Sequence, residues 1–274
     1  MLPTRVILPR QTPGLRQALR DLWLRRELLA AWTVREIKVR YKQSLLGVAW
    51  AIMQPLSLML IFTVVFTRFL QAPTGDLPYP LFAYTALLPW TFFATAVSQS
   101  AVSVLSNMSL VSKVHFPREI LPLAQIGAAG FDFLVAALLF VGLLAWYRIP
   151  LRLTWLAAPL LLLIQIVLTI GLSLLLSALI VRFRDLRFVV PLGLQLWLYA
   201  TPIIYPATVI PANWRWLLRL NPMAALIDGY RRTFLHGQWP DWGGLAGASV
   251  LALALGLIGF WVFKRTELWF ADIL

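Results

Sequence analysis

The 274-residue sequence has no cysteine. Disulfides, thiol nucleophiles and cysteine-ligated zinc are thereby excluded, and the redox compartment leaves no mark. Charge is scarce as well: only 13% of residues are Asp, Glu, Lys or Arg, with eleven acids against 24 bases. No GxxxxGK[ST] phosphate cradle occurs, no pair of carboxylates is placed for acid–base work, and no serine stands with a partner histidine. His115 has no second histidine or carboxylate at ligand spacing, so no metal site is expected. A chain with these gaps cannot power uphill movement by itself; the energy would have to come from another chain. The first 25 residues hold arginines without an apolar run before a cleavage site, so no secretory signal is expected.

What the chain has in quantity is apolar surface. Sixty per cent of residues are hydrophobic and the mean hydropathy is +0.78, more than one soluble core of this size can hide. Six segments are long and apolar enough to be candidate spans: 45–67, 80–104, 120–147, 153–181, 188–204 and 243–263. The fifth is short and leads into a proline-broken stretch expected to dip back into the membrane. With the N-terminus inside, seventeen of the 24 Lys and Arg fall on the inner side, which predicts that both termini are cytoplasmic. The net charge of +13 flanks the spans, so anionic headgroups explain it better than nucleic acid.

Residues 1–44 carry ten basic and three acidic side chains. Leu15, Leu19, Leu22, Trp23, Leu29, Trp32, Val34, Ile37 and Tyr41 recur at three- and four-residue steps, the pattern of an amphipathic helix lying in the membrane interface. Two roles fit it: an anchor that sets topology, and a platform that guides an anionic lipid headgroup through Arg35, Lys38, Arg40 and Lys42. Gly47 then leads into the first span, which Pro55 is expected to kink or interrupt.

Asp132 is the single acid well inside a candidate span, and it is expected to make one polar contact between helices. A proton pump or cation channel would carry more. Uncharged polar residues instead form stripes: Gly47, Trp50, Gln54 and Ser57 in the first span, Tyr84, Thr91, Thr95 and Ser98 in the second, and Gln195, Tyr199 and Pro202 in the fifth. Such a lining suits a neutral, hydroxyl-rich solute whose ring faces stack on Trp and Tyr; ordinary helix packing through Ser and Thr is the alternative. In the last span Gly243, Gly247, Ala252, Gly256 and Gly259 permit a close helix approach, within one bundle or between two.

Two connecting stretches stand out. Residues 105–119 hold SNMSLVSKVHFPRE, short, amphipathic and broken by proline, a shape suited to docking in a cleft of another protein or to a plain connector. Residues 201–242 alternate prolines and tryptophans with Arg215, Arg219, Arg231 and Arg232, as expected of two short helices partly re-entering the outer leaflet, or of an interfacial aromatic belt.

The segments VREIKVRYKQSLLGVAWAIMQPL, YPLFAYTALLPWTFFATAV, KVHFPREILPLA, VRFRDLRFVVPLGLQLWLYATPIIYP, LNPMAALIDGYRR and the terminal FADIL, in that order, resemble the permease subunit of type-2 ABC exporters of O-antigen, teichoic acid and related lipid-linked polysaccharides. The resemblance implies an all-α integral membrane fold of six spans. In it, 1–44 would be a cytoplasmic N-terminus with an interface helix and 45–274 the transmembrane domain, with a coupling loop at 105–119 and an external gate at 205–240. It implies a homodimer in the cytoplasmic membrane, two ATPase chains that bind ATP and Mg, and no cofactor in this chain. Ser109, Lys113, His115, Phe116, Arg118 and Glu119 would meet the ATPase. Trp50, Gln54, Tyr84, Trp90, Phe93, Trp197 and Tyr199 would line the conduit for an undecaprenyl-type lipid-linked glycan, and Tyr205, Trp214, Arg215, Arg219, Asp228 and Arg231 would form the gate. The tail after Phe263 is too short for a carbohydrate-recognition domain. The competing readings are a capsule or teichoic acid exporter permease of the same class, a membrane-embedded glycosyl- or acyltransferase acting on lipid-linked sugars, and a nucleotide-independent channel.

Overall fold

The computed structural model describes residues 14–69, 77–114 and 116–267, and among the described residues every regular element is helical. The N-terminal segment is two helices, α1 (Leu15–Leu24) and α2 (Arg26–Tyr41), divided at Arg25. The single apolar stripe expected through Tyr41 therefore does not hold. On α2, Val34 and Val39 are exposed beside Arg35 and Lys38, while the partly buried face mixes Leu29, Trp32 and Ile37 with Thr33, Glu36 and Arg40. Thr33 abuts Gly127, and Gln125 donates a 2.8 Å hydrogen bond to Glu36.

Gly47, in the left-handed region at φ +52°, turns the chain into the first span. That span begins as a 3₁₀ turn, continues as α3 (Trp50–Val64) and ends in a π turn at Phe69. Pro55 neither breaks nor ends it; the ring is buried inside a continuous helix. Next come α4 (Tyr79–Ser106), the six-residue α5 (Met108–Lys113), α6 (Ile120–Trp146) and α7 (Ala158–Arg182), the last extended by a 3₁₀ turn from Leu153. After α8 (Leu186–Ala200) the chain turns inward, burying Thr201 to Ile204, and forms α9 (Trp216–Leu220), α10 (Pro222–Arg231) and α11 (Trp242–Glu267).

Five of the described helical segments, built on α3, α4, α6, α7 and α11, are long and apolar enough to cross a membrane. The 15 residues of α8 reach about 22 Å, short of a hydrocarbon layer of roughly 30 Å. At the centre is α4, buried without a break from Leu81 to Trp90 and packed between α6 and α7. α7 and α11 meet backbone to backbone: a Cβ on Gly259 would lie 2.1 Å from the Gly171 carbonyl oxygen, and one on Gly171 would lie 2.5 Å from the Gly256 nitrogen. Part of the small-residue stripe of the last span is thus spent inside the bundle.

Candidate functional site

Four helices enclose a half-open cleft of about 370 Å³. α3 contributes Trp50 and Gln54, one helical turn apart, and α4 contributes Thr91, Thr95 and Gln99 at the same spacing. Phe92 and Phe133 form apolar wall, and α2 closes one end with Arg40 and Tyr41, facing Asp132 near the middle of α6. Two of the polar stripes read from the sequence therefore converge on one space.

Asp132 does make polar contact between helices, and its partners lie on α2. The Arg40 guanidinium donates from Nη1 to Oδ2, and the Tyr41 hydroxyl donates to Oδ1. The pair is partly buried, with side-chain exposures of 23% and 19%. Burial, with the adjacent Asp132 carboxylate adding to it, holds the Tyr41 phenol above its ordinary range, so it stays a donor. Arg40 is thus engaged by Asp132 rather than free on the helix surface. Arg35 is paired with Glu36 at 2.7 Å and lies 4.6 Å from the centroid of the Trp32 ring, whereas Lys38 and Lys42 are exposed.

Of the residues expected to contact sugar, the cleft gathers only Trp50 and Gln54. Tyr84 and Phe93 are wholly enclosed, and Trp90 is 3% exposed, because their faces of α4 pack against neighbouring helices. The Tyr84 hydroxyl donates to the Ala136 carbonyl oxygen at 3.0 Å, and its ring stacks on Phe140. Trp197 packs edge-on against Trp90 and Phe93, and its indole N–H donates to Asn221 Oδ1 at 2.9 Å. In this conformation the Tyr84, Trp90 and Phe93 rings are core, and Trp197 is a partly buried ring packed against it. Tyr199 is exposed on α8, away from the cleft.

A model of the ABC-2 type transporter family matches residues 27–235, most of the chain and all four walls of the cleft. The chain belongs to the ABC-2 type transporter family. It is a multi-pass membrane protein that transports rather than catalyses. It is 32% identical over 249 residues to the O-antigen export system permease protein RfbA of Klebsiella pneumoniae, covering 90% of this chain and 95% of that protein. It is 32% identical over 258 residues to the Myxococcus xanthus protein of the same name, covering 92% and 97%. The polysialic acid transport protein KpsM of Escherichia coli is 23% identical over 246 residues, covering 85% and 91%.

In this ABC-2 transporter, the residues expected to dock an ATPase divide into two groups. Ser109 and Lys113 lie exposed on α5, and Phe116 stacks on Trp32 of α2 with ring centroids 6.4 Å apart. His115 lies outside the described residues. Glu119 is not a surface residue: it is 2% exposed, and both carboxylate oxygens accept from Lys264 Nζ of α11 at 2.8 Å. Burial pushes its carboxyl up, and the Lys264 ammonium opposes that shift. Arg118 donates to the carbonyl oxygen of Glu267, whose carboxylate also accepts from Lys264 at 3.0 Å. Together these bonds clamp the loop after α5 to the end of α11.

The residues assigned to an external gate also separate. Trp214 and Arg219 are exposed, Arg215 donates to the carbonyls of Ile210 and Thr208, and Asp228 pairs with Arg232 at 2.6 Å. Tyr205 donates to the Tyr199 carbonyl oxygen at 2.8 Å. Arg231 is buried, donating to the carbonyl oxygens of Pro202 and Ile203, its guanidinium 3.6 Å from the Phe82 ring centroid. Sequence reasoning missed Gln99 in the cleft, although its step of four from Thr95 continues the α4 stripe. It placed Tyr41 only in the apolar stripe of the N-terminal helix, and it missed Lys264 and Asn221, for which no local signal exists.

Proposed function

We propose that this chain is the transmembrane subunit of an ATP-driven exporter of a lipid-linked polysaccharide of the O-antigen kind, working as a homodimer with two ATPase chains that bind ATP and Mg. The carrying observation is the cleft, where the open ring of Trp50 and the neutral side chains of Gln54, Thr91 and Thr95 meet. It lies in a chain similar along nine-tenths of its length to an O-antigen export permease. In this reading α8 is a sixth, short crossing completed by the buried turn after it, α9 and α10 form the outer gate, and both termini face the cytoplasm at the inner membrane. The exposed face of α5, with Ser109, Lys113 and neighbouring Phe116, docks the ATPase. The similarity to the polysialic acid transport protein supports capsule export as a second reading of the same class. The test is reconstitution with the cognate ATPase in liposomes loaded with an undecaprenyl diphosphate-linked O-antigen glycan. ATP-dependent transfer of glycan across the bilayer is expected; ATP hydrolysis that moves no glycan would overturn the substrate assignment.

A further inference from the structure

Inside the cleft, several groups have bonding capacity that the protein itself does not use. Gln54, Thr95 and Gln99 make no side-chain hydrogen bond among the described residues, and the Trp50 ring, 53% exposed, makes no ring-stacking or cation–π contact among them. Arg40 spends one nitrogen on Asp132, leaving other N–H donors of its guanidinium unspent. Each Asp132 oxygen accepts one bond from the protein and keeps a second lone-pair direction. These unused amides, donors and acceptors are gathered in one half-open cleft, where a polar ligand can meet several of them at once.

The charges narrow what such a ligand can be. Arg40 and Asp132 neutralise each other within the cleft, so its lining offers a phosphate no net positive charge, and an acyl chain has no use for two amides. A pyranose ring meets every feature: its apolar face covers the indole, and its hydroxyls, each donor and acceptor, satisfy amide, carboxylate and guanidinium at once. A volume of about 370 Å³ lies within the roughly 300–1,000 Å³ typical of small-molecule sites.

We propose that this cleft, built within one protomer, is a binding site for a single uncharged sugar ring, with Asp132 and Gln99 contacting its hydroxyls, Trp50 its face, and Tyr41 positioning Asp132. The proposal rests on the export reading above and narrows its substrate to neutral glycans. It is tested on the permease–ATPase complex in nanodiscs by tryptophan fluorescence, titrating methyl α-D-glucopyranoside, methyl α-D-mannopyranoside, sodium pyrophosphate and N-acetylneuraminic acid. A saturable signal is expected from a neutral glycoside only, abolished by Trp50→Phe. Asp132→Asn should weaken it about ten-fold, the loss of one charged hydrogen bond, and should create a pyrophosphate response by leaving Arg40 unneutralised. Gln99→Leu, at an exposed position without an internal hydrogen bond, keeps the fold intact and should also weaken the glycoside signal. Pyrophosphate or N-acetylneuraminic acid binding to the unaltered complex, or no glycoside signal at all, overturns the assignment. Polymer transport persisting without a glycoside signal sinks this site and leaves the exporter standing. Glycoside binding without polymer transport sinks the export reading and leaves the site.

Discussion

Replacing Lys264 by methionine removes the one cation that pairs with Glu119 among the described residues. The Lys264 ammonium lies 2.8 Å from both Glu119 oxygens and 3.0 Å from Glu267, with side-chain exposures of 8% for the lysine and 3% for Glu119. Removing one member of a buried pair costs about 3–5 kcal/mol, because the other charge stays out of water without a partner. The cost is bounded by protonation: an orphaned Glu119 escapes it by taking up a proton, at about 1.4 kcal/mol per pH unit above its pKa. Burial already pushes that carboxyl up, so its folded pKa exceeds the unfolded value, and the deficit of Lys264→Met should shrink as pH falls. Glu119→Gln should cost less, about 1–2 kcal/mol, because Lys264 keeps Glu267. Joining Lys264→Met to Glu119→Leu should restore most of the loss, since an apolar pair of similar volume commonly matches a buried ion pair. The assay is heating in detergent followed by size-exclusion chromatography on tryptophan fluorescence. A loss of 3–5 kcal/mol corresponds to roughly 6–20 °C for a chain of this order. If both single variants melt within about 1 kcal/mol of the unaltered protein, the clamp is water-screened and the reasoning is wrong.

Three further outcomes are expected. Gly259→Val should cost several kcal/mol in the same thermal assay, about 1–3 or more for overpacking, since its side chain meets the Gly171 carbonyl; Gly247→Ala, with nothing within 4 Å, should be neutral or gain up to about 1 kcal/mol. Arg231→Met should lower the melting temperature by orphaning the carbonyls of Pro202 and Ile203, at about 1–3 kcal/mol per buried group; an unchanged transition would show that water reaches them. Trp197→Phe should cost about 1 kcal/mol through the lost bond to Asn221. A transport defect at unchanged melting temperature would instead place that ring in the conduit.

Much of the architecture is legible along the chain because hydropathy over some 20 residues is a local property. The first four candidate spans and the last correspond to helices 47–69, 79–106, 120–146, 153–182 and 242–267, each edge within a few residues, and the shortness of the 188–204 segment reappears in α8. Rotation of those helices is another matter. Tyr84 and Trp50 sit in stripes that look alike in sequence, yet one ring is sealed in the core and the other is half open. In a soluble protein the apolar stripe of a helix marks its inner face; in a membrane protein the lipid side is as apolar as the core, so periodicity loses its meaning. The N-terminal helices hide their polar contacts for a related reason: α2 meets α6 through Thr33, Glu36, Arg40 and Tyr41, and a polar packing face is indistinguishable in sequence from a wet one.

The order of residues by itself determined that this chain lives in a membrane, that it carries no GxxxxGK[ST] phosphate cradle, and where its long helices run. Each follows from composition or from neighbours within a few turns. Only the tertiary structure decided which of its few charges are spent. Arg40 meets Asp132 across 92 positions and Lys264 meets Glu119 across 145, so a residue read as a headgroup contact is half of an ion pair lining a cleft and one read as a docking contact is half of an internal clamp. The physical reason is the scarcity itself: an ionised group taken from water must find its opposite, and with few acids available that partner lies wherever the packed helices bring it.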